Sequence, residues 1–375
     1  MWHQQLTKEQ RVETLNQLGL STGYVPFAIE KDWWVCMVLR AVFQSKYKDQ
    51  IIFKGGTSLS KAYQIIERFS EDVDLIIDRN LLGFSAEPDT ITQMKKLRKT
   101  AGKFVISDFG EELECQLKKL GISPNDYEIK YSEIVDDLSD PNHLELVYKS
   151  VMPQESYVQQ KVLIEMGARA MTEPSERKMV QSFIEDYYQE APFSLPPFEV
   201  LVTVPTKTFL EKILLLHEEF SKPKDRIRSE RMSRHLFDLY QLYYTDYGKN
   251  ALVDDELFEK IVVFREKMNR SKWINYENHK KGFINIIPPK EVIKEWENDY
   301  KIMQSNMIVG ESPSFEILMH TMEEIMKILN NDQIIGRGMF DKITTSMSLN
   351  TSFVEQKVKS LFNNILNNLI QFCIR

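Results

Sequence analysis

Asp72 and Asp74 stand two residues apart in Phe69-Ser70-Glu71-Asp72-Val73-Asp74-Leu75-Ile76-Ile77, a stretch that reads as a turn entering a buried strand. Strand side chains alternate between faces, so both carboxylates point one way while Val73, Leu75 and Ile77 point into a core. Two carboxylates side by side repel unless a cation lies between them. A hard divalent ion takes oxygen ligands and is commonly shared between one or two carboxylates and substrate phosphates. Upstream, Gly55-Gly56-Thr57-Ser58 follows the short strand Ile51-Ile52-Phe53 and precedes a helix expected over Leu59–Glu67. Glycine lets the backbone approach a ligand, and the unpaired N–H groups of a helix start favour anions. Thr57 and Ser58 add hydroxyls, Lys61 adds a cation one turn on, and the Ser70 hydroxyl precedes Asp72 by two residues. Each pattern alone also has a plain structural reading: a solvated strand edge for the acids, a tight turn capped by Thr57 or Ser58 for the glycines. Neither a P-loop nor a dinucleotide fingerprint is present. The combination says more. The 16 residues from Gly56 to Asp72 allow one helix and one return turn. A phosphate-friendly turn and the acid pair can then lie on adjacent strand ends.

The elements around this pair divide the chain. Residues 28–43 are apolar almost all round and predict a buried helix. Residues 90–120 read as mainly helical, and three strand-like runs follow near 127–134, 143–149 and 161–166. Three prolines make 191–197 a linker, and a strand near 199–204 ends it. Beyond Pro205 the pattern is helical: 206–221, 230–246, 253–269, 290–304 and 314–330. The reading is α+β, with a mixed domain over 1–204 and a helical domain over 205–375. The Asn- and Met-rich tail after Asn330 has no legible pattern.

Composition excludes several classes. The net charge of −7 argues against nucleic-acid binding over the whole surface, though not against a local basic patch. Cys36, Cys115 and Cys373 are far apart, which disfavours a zinc site or a disulfide framework and fits a reducing cytoplasm. No apolar run approaches the ~20 residues of a membrane helix, and the first residues lack the pattern of a signal peptide.

The run FKGGTSLSKAYQIIERFSEDVDL, Phe53 to Leu75, resembles the signature of the AbiEii/AbiGii-type nucleotidyltransferase toxins, which are related to the MenT toxins. The resemblance extends to Ile29–Trp34, Thr208–His217, Ser233–Tyr240 and Asp299–Phe315, roughly residues 20–330. It implies a DNA polymerase β-like nucleotidyltransferase core with a mainly helical C-terminal half. It implies a transferase moving a nucleotide from an NTP with Mg²⁺ or Mn²⁺, inside a bacterial toxin–antitoxin or phage-defence (abortive-infection) system with a nearby antitoxin gene. The MenT branch points to a tRNA 3′ end as acceptor. Transfer to a protein or small molecule, or nucleotide binding without turnover, are the competing readings. Gly55, Gly56 and Thr57 match the first family motif, Asp72 and Asp74 the second, Lys212 the third and Asp238 the fourth. Ser58, Lys61 and Ser70 join the expected nucleotide site.

Three further expectations come from the residues around these motifs. Glu165 is the candidate third metal-binding carboxylate, since such folds often carry one on a neighbouring strand. Asp238 lies in an aromatic-rich helix, where Arg234 four residues earlier is the local partner, and the functional reading makes it a stabiliser of Lys212 or of the nucleotide. Arg226, Arg228 and Arg231 belong to a run of six basic residues between Lys222 and Arg234, a candidate RNA contact.

Overall fold

The apolar run behind Pro26 becomes a helix buried along its whole length. Proline suits the first helical turn, where its missing N–H is not needed. Every residue from Phe27 to Phe43 is buried, and its charges are answered locally: Asp32 by Lys61, Lys31 by the Gln159 carbonyl, Arg40 by the Pro196 carbonyl.

The computed structural model describes residues 1–70, 72–131, 142–153, 159–269 and 273–330. It opens with α1 (Trp2–Gln5), α2 (Lys8–Thr22), α3 (Pro26–Phe43), β1 (Ile51–Lys54), α4 (Gly55–Lys61) and β2 (Asp72–Ile77). Helices α5 (Ile91–Phe104) and α6 (Gly110–Lys119) are joined through a π-helical turn. Then come β3 (Tyr127–Tyr131), β4 (Asn142–Tyr148), β5 (Lys161–Gly167), β6 (Ser175–Val180), α7 (Phe183–Tyr187) and β7 (Phe198–Thr203). The remainder is helical: α8 (Pro205–Phe220), α9 (Ser233–Tyr243), α10 (Asp246–Val253), α11 (Asp255–Asn269), α12 (Ile293–Met307) and α13 (Phe315–Asn330).

The seven strands form one sheet in the order β3-β4-β5-β2-β1-β7-β6. β1 pairs antiparallel with β2, and β2 pairs parallel with β5, so the acid strand lies centrally between them. α3 packs against the sheet in a core that also takes in α5 and α6. A second core unites α8 to α13 and reaches back to Leu59 and Ile66.

The mixed first half, the helical second half and most expected elements are present. Three differences stand out. The helix expected over 59–67 instead occupies Gly55–Lys61, because the chain turns from β1 straight into it at Gly55, and the stretch after it is tied elsewhere. Arg68 forms a bridge to Ile308, and the Phe69 N–H donates to the Met307 carbonyl at 2.6 Å. Second, β6 was not expected; Ser-Glu-Arg-Lys-Met-Val lacks apolar alternation because it is an edge strand with little to bury. Third, the helix expected over 230–246 ends at Tyr243, and α10 starts anew at Asp246, capped by Thr245. Residues 132–134 of one strand-like run, Glu71, Cys373 and the tail from 331 lie outside the described residues.

Candidate active site

The register of three strands assembles the acids. Asp74 pairs with Lys54 on one side and with Glu165 on the other, which places Asp72, Asp74 and Glu165 on one face. All three line a cavity of about 370 Å³, together with Gly55, Gly56 and Lys212. Burial, then the charge of Asp74 and a hydrogen bond with it, and then Asp72, push the Glu165 carboxyl up to about 7. Carboxylate oxygens are the donor set a hard divalent ion takes. Among the described residues no group of three or more His, Cys, Asp or Glu is gathered so as to hold a metal by itself.

Both glycines are required by what sits against them. Gly55 has φ +82°, and a Cβ there would lie 2.1 Å from Asp74 Oδ2. A Cβ on Gly56 would meet Arg68 Nη2 at 2.4 Å. The neighbouring hydroxyls are turned inward. Thr57 donates to the Asp72 carbonyl at 2.5 Å and lies 2.8 Å from Ser70 Oγ, while Ser58 donates to the Gly55 carbonyl. Thr57 and Ser58 are therefore buried braces of the turn; neither caps the helix or lines the cavity. Ser70 does line it. Lys61 does not: its ammonium is 2.7 Å from Asp32, and it faces a neighbouring cavity that shares Arg68 and Ser70 with the first.

On the opposite wall, Lys212 projects from α8 and its ammonium is 2.9 Å from Asp238 Oδ2. The partner expected from spacing is corrected here. Asp238 does not pair with Arg234; it receives both Arg68 Nε and Nη2, at 2.7 and 2.8 Å. Burial would raise the Asp238 carboxyl, but Arg68 and then Lys212 hold it well below the usual carboxylate range. Arg234 turns the other way, with Nη1 4.0 Å from Asp72 Oδ2. Sequence reasoning missed Arg68 as a site residue; the signal was a charge just ahead of the turn that enters the acid strand. It also missed Asp299, which accepts from the Arg231 and Ser233 N–H groups at 2.6 and 2.9 Å and fixes the start of α9.

The basic run is largely answered by acids. Arg228 and Lys222 share Glu219, Lys224 meets Glu291, and Arg226 lies 3.5 Å from Asp225. Arg226, Arg228 and Arg231 stay exposed but do not line the cavity.

Behind the cavity, α8 buries His217 against His279, with the rings 4.9 Å apart. Burial and then His279 lower the His217 imidazole to about 4. Its folded state thus resists protonation that the unfolded chain accepts near 6.5. The associated stability is complete above about pH 6.5 and is lost as pH falls toward 4, on the order of 3 kcal/mol at most. His217→Gln, which can still accept the Asn285 N–H, is expected to flatten the pH dependence of the urea midpoint across that window. Parallel profiles for the two proteins would count against this.

The site thus joins a central acid strand, a glycine-led helix and a lysine-bearing helical wall. The family model "Nucleotidyl transferase AbiEii toxin, Type IV TA system" matches residues 38–327, from within α3 to within α13. The chain belongs to this family of nucleotidyltransferase toxins of type IV toxin–antitoxin systems. Among solved structures it is similar to MenT4, a nucleotidyltransferase toxin from Mycobacterium tuberculosis H37Rv. Identity is 16%, with 86% of this chain and 99% of that chain covered and a TM-score of 0.39. No curated protein sequence matches it. Membership makes the chain a transferase acting with an NTP and implies an antitoxin. Among the described residues, no helix is long and apolar enough to cross a membrane.

Proposed function

We propose that the cavity binds an NTP with Mg²⁺ or Mn²⁺ and that the protein transfers the NMP to an acceptor hydroxyl, with pyrophosphate leaving. The observation that carries this reading is the convergence of Asp72, Asp74 and Glu165 with Gly55, Gly56 and Lys212 on one cavity. Asp72, Asp74 and Glu165 would hold the divalent ions, which when bound would neutralise charge on the triphosphate during nucleotidyl transfer. Asp72 and Asp74 offer the oxygen donors, with Glu165 beside them. Gly55 keeps the backbone clear of Asp74. Lys212, anchored by Asp238, presents a cation to the triphosphate, and the Ser70 hydroxyl faces the same space. Asp238 is a positioning residue in this scheme.

The acceptor we propose is a tRNA 3′ end, supported by the motif resemblance to the MenT branch. Arg226, Arg228 and Arg231 offer exposed cations on the same helical half. The setting is a cytoplasmic toxin–antitoxin system acting in abortive infection.

The test incubates the purified chain with labelled NTPs, total RNA and lysate protein. Label is expected in tRNA and is expected to vanish in Asp72→Ala, with the fold unchanged by circular dichroism. Neutralising Arg226 and Arg228 should lower labelling of RNA without weakening NTP binding. Label in protein would replace the acceptor, and label retained by Asp72→Ala would sink the reading.

A further inference from the structure

Arg265 has no assigned role, yet it lines the active-site cavity from α11. It is held from behind: Nε and Nη2 donate to Glu218 at 2.7 and 2.6 Å, and His279 Nε2 lies 3.4 Å from the same carboxylate. Glu218 is six residues beyond Lys212 on α8, about 9 Å along the helix axis. Arg265 is therefore held further along α8 than Lys212 and Glu211, which line the same cavity. Leu215, three residues before Glu218, and Ile261 and Phe264, beside Arg265 on α11, line the cavity, with Glu211 on α8 and Asn269 one turn beyond Arg265 as the polar groups. Apolar walls with a few fixed polar groups suit a nucleobase, whereas the acid end suits phosphates.

The fork geometry decides which base. Glu218 occupies the side of the guanidinium formed by Nε and Nη2. What remains is the end formed by Nη1 and Nη2, two parallel N–H donors and no acceptor. Such a pair fits two adjacent acceptors on one base edge. Guanine offers O6 and N7, and cytosine offers O2 and N3. Adenine sets a donor beside each acceptor on both its hydrogen-bonding edges, and uracil separates its carbonyls with an N–H.

We propose that Arg265, pre-oriented by Glu218, is the base-reading residue and selects an NTP whose base presents two adjacent acceptors, GTP or CTP, over ATP and UTP. This rests on the nucleotidyl-transfer reading of the cavity. It differs from a purely structural tie between α11 and α8, which would leave base preference untouched.

Equilibrium binding of GTP, CTP, ATP and UTP to the full chain, with Mg²⁺ and no acceptor, tests it. GTP or CTP is expected to bind about 5- to 150-fold more tightly than ATP and UTP, the discrimination of one bidentate contact. The two arms identify which base is read. Arg265→Lys keeps the charge but loses the fork, and should bring the ratio close to one while ATP affinity stays within a few-fold. Arg265→Met leaves Glu218 buried without its partner, so the Arg265→Met/Glu218→Gln double variant serves as the control that folds without an orphan charge. Equal affinity for all four nucleotides, preference for ATP or UTP, or a ratio that survives in both variants overturns the proposal and leaves the transfer reading standing. Failure to bind any nucleotide overturns both.

Discussion

Asp238→Ala is expected to destabilise the protein by about 3–5 kcal/mol, far more than the removal of a surface carboxylate. The reason is what it leaves behind. Asp238 is fully buried and is the shared counter-ion of Arg68 and Lys212, themselves 3% and 9% exposed at the side chain. Without it two cations stand buried side by side, each desolvated and each repelling the other. Chemical denaturation checks this directly. Transfer should fall on the order of 100-fold or more as well, because Lys212 loses the group that aims it. The informative companion is Asp238→Asn, which keeps the shape and removes the charge. It should recover part of the packing yet leave the cations uncompensated, so its stability should stay well below that of the parent. A stability loss under 1 kcal/mol for Asp238→Ala would mean that the two cations are compensated elsewhere.

Gly55→Ala separates catalytic geometry from stability. The positive φ costs an alanine about 1–2 kcal/mol, a loss most domains survive. The larger effect is local. The new methyl would lie too close to Asp74 Oδ2 for both to stay, so the carboxylate must swing out of the acid group. Displacing a reacting group by about 1 Å can lower rate about 100-fold, and loss of NTP-dependent labelling of that size is the expected result. Gly56→Ala makes the contrast. Its methyl would press on the Arg68 guanidinium rather than on an acid. It should therefore resemble a weakened Arg68–Asp238 pair, with reduced stability preceding reduced transfer. If Gly55→Ala transfers label at the parental rate in a normally folded protein, Asp74 is not held as the geometry requires.

How much of this was legible in advance follows from the range of each interaction. Strand alternation is local, so Asp-Val-Asp-Leu-Ile-Ile already placed two acids on one face and three apolar side chains on the other. The glycine pair, the linker prolines and the amphipathic helices were legible for the same reason: backbone conformation and face are set by residues within a turn or two. The 16 residues between Gly56 and Asp72 also allowed their nearness, which the pairing of β1 with β2 then sets. Local reasoning misled where a partner came from afar. Helix spacing offered Arg234 as the counter-ion of Asp238, yet alongside Lys212 the partner is Arg68, 170 residues away.

That pairing exists because the stretch before β2 is bridged to Ile308 and so brought under the helical half. The docking sends Arg234 toward Asp72 and frees Lys212 to share Asp238. Lys61 shows the reverse case, a cation in the right motif that a buried acid on α3 draws away. Arg265 was one charge among many on a helix until Glu218 of a second helix engaged two of its donors beside the cavity. The positions of acids, glycines and helices are thus properties of short segments. The counter-ions that aim the cations depend on long-range packing, because a buried charge takes whichever opposite charge the fold brings within reach.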